Sequence, residues 1–258
     1  MTLKSDKTII KVNNLSKSFL VGNQQVKVLK NVSFEVKDND FLIIFGPSGC
    51  GKSTLLHTIL GLEEPSGGSV TFLNQDVYEP MLGQVNTEDQ RSEFRKLNIG
   101  MVYQQANWIR SLKVWENVAF PLTLCGVDYE SRKAAAKAML TEVEMADWAD
   151  YLPTQLSSGQ QQKVALARAI ISNPRLIIAD EPTGNLDFES GKELMGILSD
   201  LNTTNKKTII MVTHDLEYLK YAKTIIKMFD GQISEIRVNP DLRKTKVGYK
   251  RNGGKSDV

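Results

Sequence analysis

Phe41-Leu42-Ile43-Ile44-Phe45-Gly46-Pro47-Ser48-Gly49-Cys50-Gly51-Lys52-Ser53-Thr54 runs from an apolar segment through a glycine-rich loop to a lysine and two hydroxyls. From Gly46 to Ser53 the spacing is G-x-x-x-x-G-K-[ST], that of a phosphate-binding loop. With glycine at 46, 49 and 51, the loop, including Pro47, Ser48 and Cys50, can curl so that its N–H groups converge on an anion. A helix opening near Lys52 and Thr54 adds its positive end to the same spot. Lys52 supplies a formal charge for the β- and γ-phosphates, and the Ser53 hydroxyl suits Mg²⁺. Residues 41–45 are apolar on both faces, as in a central strand covered by helices.

Outward from this stretch, other apolar strands end in polar groups. Residues 99–103 lead to Gln104, residues 175–179 to Asp180 and Glu181, and residues 207–212 to Thr213 and His214. Strands alternating with helices imply an α/β fold with a parallel sheet. Ligands bind such sheets at the carboxyl ends of the strands. Gly46, Gln104, Asp180 with Glu181, and His214 therefore fall on one rim. Ser53 and Asp180 can supply or orient a Mg²⁺ shell, with the Gln104 amide as a neutral addition. Glu181 can polarise a water, and His214 can hydrogen-bond a γ-phosphate. These parts suit phosphoryl transfer to water. His57, on the helix after the loop, reads as structural.

The remaining pattern gives strands at residues 8–12, 32–36, 69–73, 224–229 and 233–237, with Phe19 near a strand end. Helices are expected from Lys52 to about Leu60, from Thr87 as N-cap, over about 131–145, and from Ser157 or Ser158 to Ile171. Residues 105–150 read as a helical insertion, with Trp108 and Trp115 as its local core.

Leu156-Ser157-Ser158-Gly159-Gln160 resembles LSGGQ, the signature of the ATP-binding cassette (ABC) ATPases, and the resemblance covers about residues 8–237. It implies a P-loop NTPase cassette with a mostly parallel core sheet and an N-terminal antiparallel β part. The ATPase domain would span 1–237, with the helical insertion at about 105–172. By resemblance, Phe19 stacks on adenine, Gln104 senses Mg²⁺ and contacts a membrane subunit, and Glu181 is the catalytic base. His214 is the switch histidine, and Asp187 belongs to the D-loop. Ser157, Ser158, Gly159 and Gln160 would meet the γ-phosphate held by the loop of a second copy in a head-to-tail homodimer. The run 181–187 is similar to the branch of lipoprotein-releasing, macrolide- or peptide-exporting and cell-division ATPases. Membrane partners in that branch have few spans and a large outer domain. One departure stands out: Ser158 replaces the first signature glycine.

Composition bounds these expectations. Of 258 residues, 41% are hydrophobic and 24% charged, which supports an ordinary soluble core. No apolar run approaches the ~18 residues of a membrane span, and residues 1–7 lack the core of a signal peptide. The expected location is the cytoplasmic face of the membrane. Net charge is +2, which disfavours a nucleic-acid partner. A soluble ABC protein acting on nucleic acid or ribosomes is the alternative; such proteins usually have tandem cassettes or a long coiled-coil insertion. Residues 238–258 carry an excess of basic residues and read as a solvated, disordered tail. Cys50 and Cys125 suggest free thiols in a reducing compartment. Cys50, at a helix N-terminus, is expected to be reactive, so that alkylation blocks turnover and ATP protects.

Overall fold

The computed structural model describes residues 7–78 and 88–239. The expected cap Thr87 and the tail from 240 onward lie outside the described residues. Strands β1 (Thr8–Val21) and β2 (Gln24–Lys37) form an antiparallel hairpin, turning at Gly22 and Asn23. Both strands are much longer than the short runs expected from polarity. Phe19 lies within β1, opposite Val26 and two residues before the strand ends at Val21, near a strand end as expected. Register shifts between Val12 and Ser18 explain the loss of simple alternation that hid this extension. β4 (Gly67–Phe72) pairs with β1, and β5 (Gln75–Asp76) pairs with β4, in the order β2-β1-β4-β5.

The second sheet contains β3 (Phe41–Phe45), β6 (Ile99–Tyr103), β7 (Leu176–Asp180), β8 (Thr208–Thr213), β9 (Thr224–Phe229) and β10 (Gln232–Val238). Its order is β10-β9-β3-β8-β7-β6. All neighbours pair in parallel except β10, which turns back against β9. The α/β cassette with a parallel core sheet and an antiparallel β part is thus the observed architecture. β3, β7 and β8 consist almost entirely of buried residues, as strands covered on both faces must.

Among the described residues six α-helices surround the sheets: α1 (Lys52–Ile59), α2 (Glu88–Asn98), α3 (Val114–Leu124), α4 (Tyr129–Glu142), α5 (Ser158–Ile170) and α6 (Phe188–Thr203). One apolar core lies between the two sheets and takes in α1 through Leu55, Leu56 and Ile59. A second covers the opposite face of the parallel sheet with Leu166 and Ile170 of α5 and Leu194 and Leu198 of α6. A third joins α3, α4 and α5 through Val118, Leu140 and Val164. Trp115 is buried in this third core, and Trp108 packs against it, so the tryptophans are local core as expected.

α4 starts and ends earlier than expected. Asp128 caps it by accepting from Ser131 N–H at 3.0 Å, and Glu144 just beyond its end has φ +60°, which stops the helix. The connection into α3 is pinned by Asn117, which is fully buried. Its amide donates to the carbonyls of Ile109 at 3.1 Å, Leu112 at 3.0 Å and Lys113 at 3.1 Å, and its oxygen accepts from Ile109 N–H at 3.0 Å. Asn117→Ala strands these groups. Urea unfolding should show a loss of about 3 kcal/mol, the cost of unsatisfied buried polar groups.

Candidate active site

The parallel ladder sets the site. β3, β8, β7 and β6 are consecutive in the sheet, so the segments leaving their carboxyl ends stand in a row. Gly46, His214, Glu181 and Gln104 are each the first residue beyond their strand.

The loop after β3 closes on α1 through Gly51, whose φ is +101°. A Cβ there would lie 2.9 Å from the Val28 carbonyl of β2, so both the dihedral and the space call for glycine. Lys52, the first residue of α1, is 5% exposed. Its Nζ donates to the carbonyls of Gly46 at 2.8 Å and Pro47 at 2.9 Å. The same nitrogen is 4.0 Å from Glu181 Oε1, and Glu181 Oε2 is 3.2 Å from His214 Nδ1. Glu181 thus stands between the loop lysine and the histidine. Its φ is +45°, and the conformation is held by its N–H donating to Val212 O and its carbonyl accepting from Gly184 N–H, both at 3.0 Å.

Asp180 is hydrogen-bonded with Ser53, while its Oδ1 is buried and has no partner among the described residues. Burial, then the neighbouring Glu181 charge, pushes its pKa up, and His57 and Lys52 partly offset the rise. A carboxylate oxygen left bare beside a hydroxyl fits the hard-oxygen shell of Mg²⁺. His57, on α1, is thus one of the groups whose charge acts on Asp180. Gln104 is exposed and stands across from Gly184, where a Cβ would come within 2.8 Å of Gln104 Nε2.

Phe19 reaches the loop side because its partner strand does: Val26 opposes Phe19, and Val28 backs Gly51. One face of its ring carries the Lys17 ammonium at 4.8 Å. Cys50 corrects an expectation. Its side chain is 5% exposed and belongs to the core between the sheets. A Cβ on Gly46 would lie 2.8 Å from its sulfur. Cys50 serves the loop through its backbone, and the thiol is shielded.

The run 157–160 forms the start of α5. Ser157 caps the helix by accepting from Gln160 N–H at 3.3 Å, and Gln160 Oε1 accepts from Ser157 N–H at 2.9 Å. Ser157 and Ser158 are exposed, so the positive helix end is open to solvent.

Residues 29–184 match the ABC transporter family. The chain belongs to that family. It is an ABC-type ATPase that binds ATP. An uncharacterized ABC transporter ATP-binding protein of Methanocaldococcus jannaschii is 42% identical over 88% of this chain and 99% of its own length. The lipoprotein-releasing system ATP-binding protein LolD of Colwellia psychrerythraea is 36% identical over 90% of this chain and 88% of its own. The macrolide export ATP-binding/permease protein MacB of Bdellovibrio bacteriovorus is 40% identical over 87% of this chain, which spans only 33% of MacB. Among solved structures, a dimeric ATP-binding cassette in a post-hydrolysis state with ADP and Pi superimposes with a TM-score of 0.81. That pair is 36% identical and covers 89% of this chain and 98% of the other. The expected branch of the ABC family is thus the observed one for the LolD and MacB relatives.

Within this ABC ATPase the departure at Ser158 has room: the residue is exposed, whereas Gly159 is buried against α6. A Cβ on Gly159 would lie 2.6 Å from Ser190 Oγ, which itself donates to Asp187 at 2.8 Å. Gly159→Ala should cost about 1–3 kcal/mol in chemical denaturation, as overpacking does. Ser158→Gly should stay within about 1 kcal/mol of the parent. Thiol titration should find Cys125, which is exposed, reacting rapidly, with Cys50 reacting only on denaturation.

Proposed function

We propose that this ATPase works as a head-to-tail homodimer on Mg²⁺ and ATP, at the cytoplasmic face of a membrane, and drives a separate permease subunit. That permease has few spans and a large outer domain, and the cycle either exports or extracts a substrate or transmits force to the outer domain. The observation that carries this is the line Lys52, Glu181, His214, with separations of 4.0 and 3.2 Å, on the rim beside an unpartnered Asp180 oxygen.

The residues divide the work. When the phosphates arrive, Lys52 exchanges the carbonyls of Gly46 and Pro47 for the β- and γ-oxygens. The N–H groups of residues 46–54 receive the remaining charge. Ser53, Asp180 and Gln104 would hold Mg²⁺, which would supply charge neutralisation for the phosphate. Glu181 accepts the proton of the attacking water, and His214 orients the γ-phosphate. The adenine stacks on the Phe19 face away from Lys17. The open helix end at Ser157, Ser158, Gly159 and Gln160 is an anion half-site, completed by a second copy's nucleotide. The dimeric neighbour with ADP and Pi and the transporter names of the relatives support this reading.

The membrane subunit has a place to dock. A groove of 460 Å³ runs beside Gln104 between Gln105, Trp108, Arg110, Pro153 and Leu186. Among the described residues no helix is long and apolar enough to cross a membrane.

The test uses Glu181→Gln. Its hydrolysis should fall at least ~100-fold while ATP binding persists, since general acid–base contributions are of that size. Size-exclusion chromatography with MgATP should show a dimer that Lys52→Ala does not form. Pull-down of the tagged variant from solubilised membranes should recover an integral membrane protein with a large outer domain. Recovery of ribosomal or DNA-bound proteins alone would replace this reading with the soluble one.

A further inference from the structure

Gln162 lies in the second turn of α5, beyond the signature. It shares a face with Leu166 and Ile170, which are core residues, and is itself 4% exposed. Its Nε2 donates to the carbonyls of Tyr103 at 3.1 Å and Gln104 at 2.7 Å. These are the last residue of β6 and the first beyond it. Two carbonyl acceptors on one nitrogen fix the orientation of the amide, because a flipped amide would set oxygen against oxygen. The Gln162 Oε1 then remains buried with no partner among the described residues. A buried unpaired oxygen is costly, and a leucine or methionine would avoid that cost. What glutamine adds is the grip on residues 103 and 104.

The same helix holds the rest of this segment. Gln161 accepts from Trp108 Nε1 at 3.0 Å. Arg168 donates to the carbonyls of Ala106 and of Asn107, the latter at 3.3 Å, and lies 4.7 Å over the Trp108 ring. On the other side the Gln104 amide lies against Gly184, where an added Cβ would come 2.8 Å from its Nε2. The backbone of Gln104 is thus tied to the signature helix, and its side chain lies against the turn after Glu181.

We propose that Gln162 is a positioning residue that sets Gln104 for the metal and ties that setting to the signature helix. This rests on the proposed role of Gln104 in holding Mg²⁺. A helix whose first residues await a second copy's phosphate then carries, one turn later, the amide that places a Mg²⁺ group in its own site. Any displacement of α5 on closure moves the Gln104 carbonyl with it.

The test is a Mg²⁺ titration at fixed ATP, read by the thermal unfolding midpoint and, separately, by hydrolysis. Chelation by ATP in solution is common to all variants, so differences report the site. Gln162→Met keeps length and apolar bulk but cannot donate. Its half-saturating Mg²⁺ should rise about 10-fold or more, the usual consequence of losing a residue that orients a metal ligand. The midpoint shift given by ATP with EDTA should persist. Gly184→Ala, which presses Gln104 from the opposite side, should move half-saturation in the same direction. A purely structural Gln162 would lower the ligand-free midpoint and leave half-saturation where it was. Half-saturation within about twofold of the parent in both folded variants would overturn the proposal. A parent whose midpoint responds to ATP but not to added Mg²⁺ would overturn the metal reading of Gln104, and this proposal with it.

Discussion

Parallel pairing of β3, β8, β7 and β6 is the constraint on which the site depends. The ladder ends with Phe45 opposite Thr213, Val212 opposite Asp180, and Asp180 opposite Tyr103. Each strand therefore stops within a residue of its neighbour, and the next residue in each case is chemical: Gly46, His214, Glu181 or Gln104. Side chains alternate along a strand, so a slip of one residue would turn each of these away from the others. The apolar residues that hold the register, such as Ile44, Ile178 and Ile210, are fully buried. The precision of the site is bought by that core, far from any phosphate.

α5 is the second organising element. It belongs to two cores at once, Leu166 and Ile170 against the parallel sheet and Val164 and Ala167 against α3 and α4. Its start is an exposed helix end, and its middle holds the chain between β6 and α3. Residues 104–108 have little regular structure of their own; the carbonyls of Gln104, Ala106 and Asn107 accept from side chains of this one helix. That explains how an irregular segment can keep a defined geometry without a strand or helix to define it.

Much of the fold was readable because the strands that matter are apolar throughout and are interrupted by loops of fixed chemistry. The loop glycines, Lys52, and the acids after residues 175–179 stand out by type alone. The long hairpin of β1 and β2 did not, because register shifts break its alternation, and it is this hairpin that brings Phe19 toward the loop. Gln162 was hidden in a run of glutamines whose composition says nothing about direction. Its helical spacing from Leu166 and Ile170 was the available signal. Gly184 and Ser190 left no signal at all, because close approach between distant segments has no local pattern. Cys50 misled for a related reason: its position at a helix end is evident in sequence, and its burial is not.

Glu181 occupies a left-handed backbone conformation, with φ of +45°, followed directly by Pro182. Non-glycine residues in that region cost of order 1 kcal/mol or more. The backbone alone would be most comfortable with glycine or asparagine, neither of which can take a proton from water at neutral pH. On the role proposed for Glu181, selection for stability and selection for turnover pull this position in opposite directions. With Glu181 as the proposed base, a drift toward the easier residue would leave a cassette that still folds but has lost the group assigned to the attacking water. The strain thus marks the residue whose loss the fold itself would not resist.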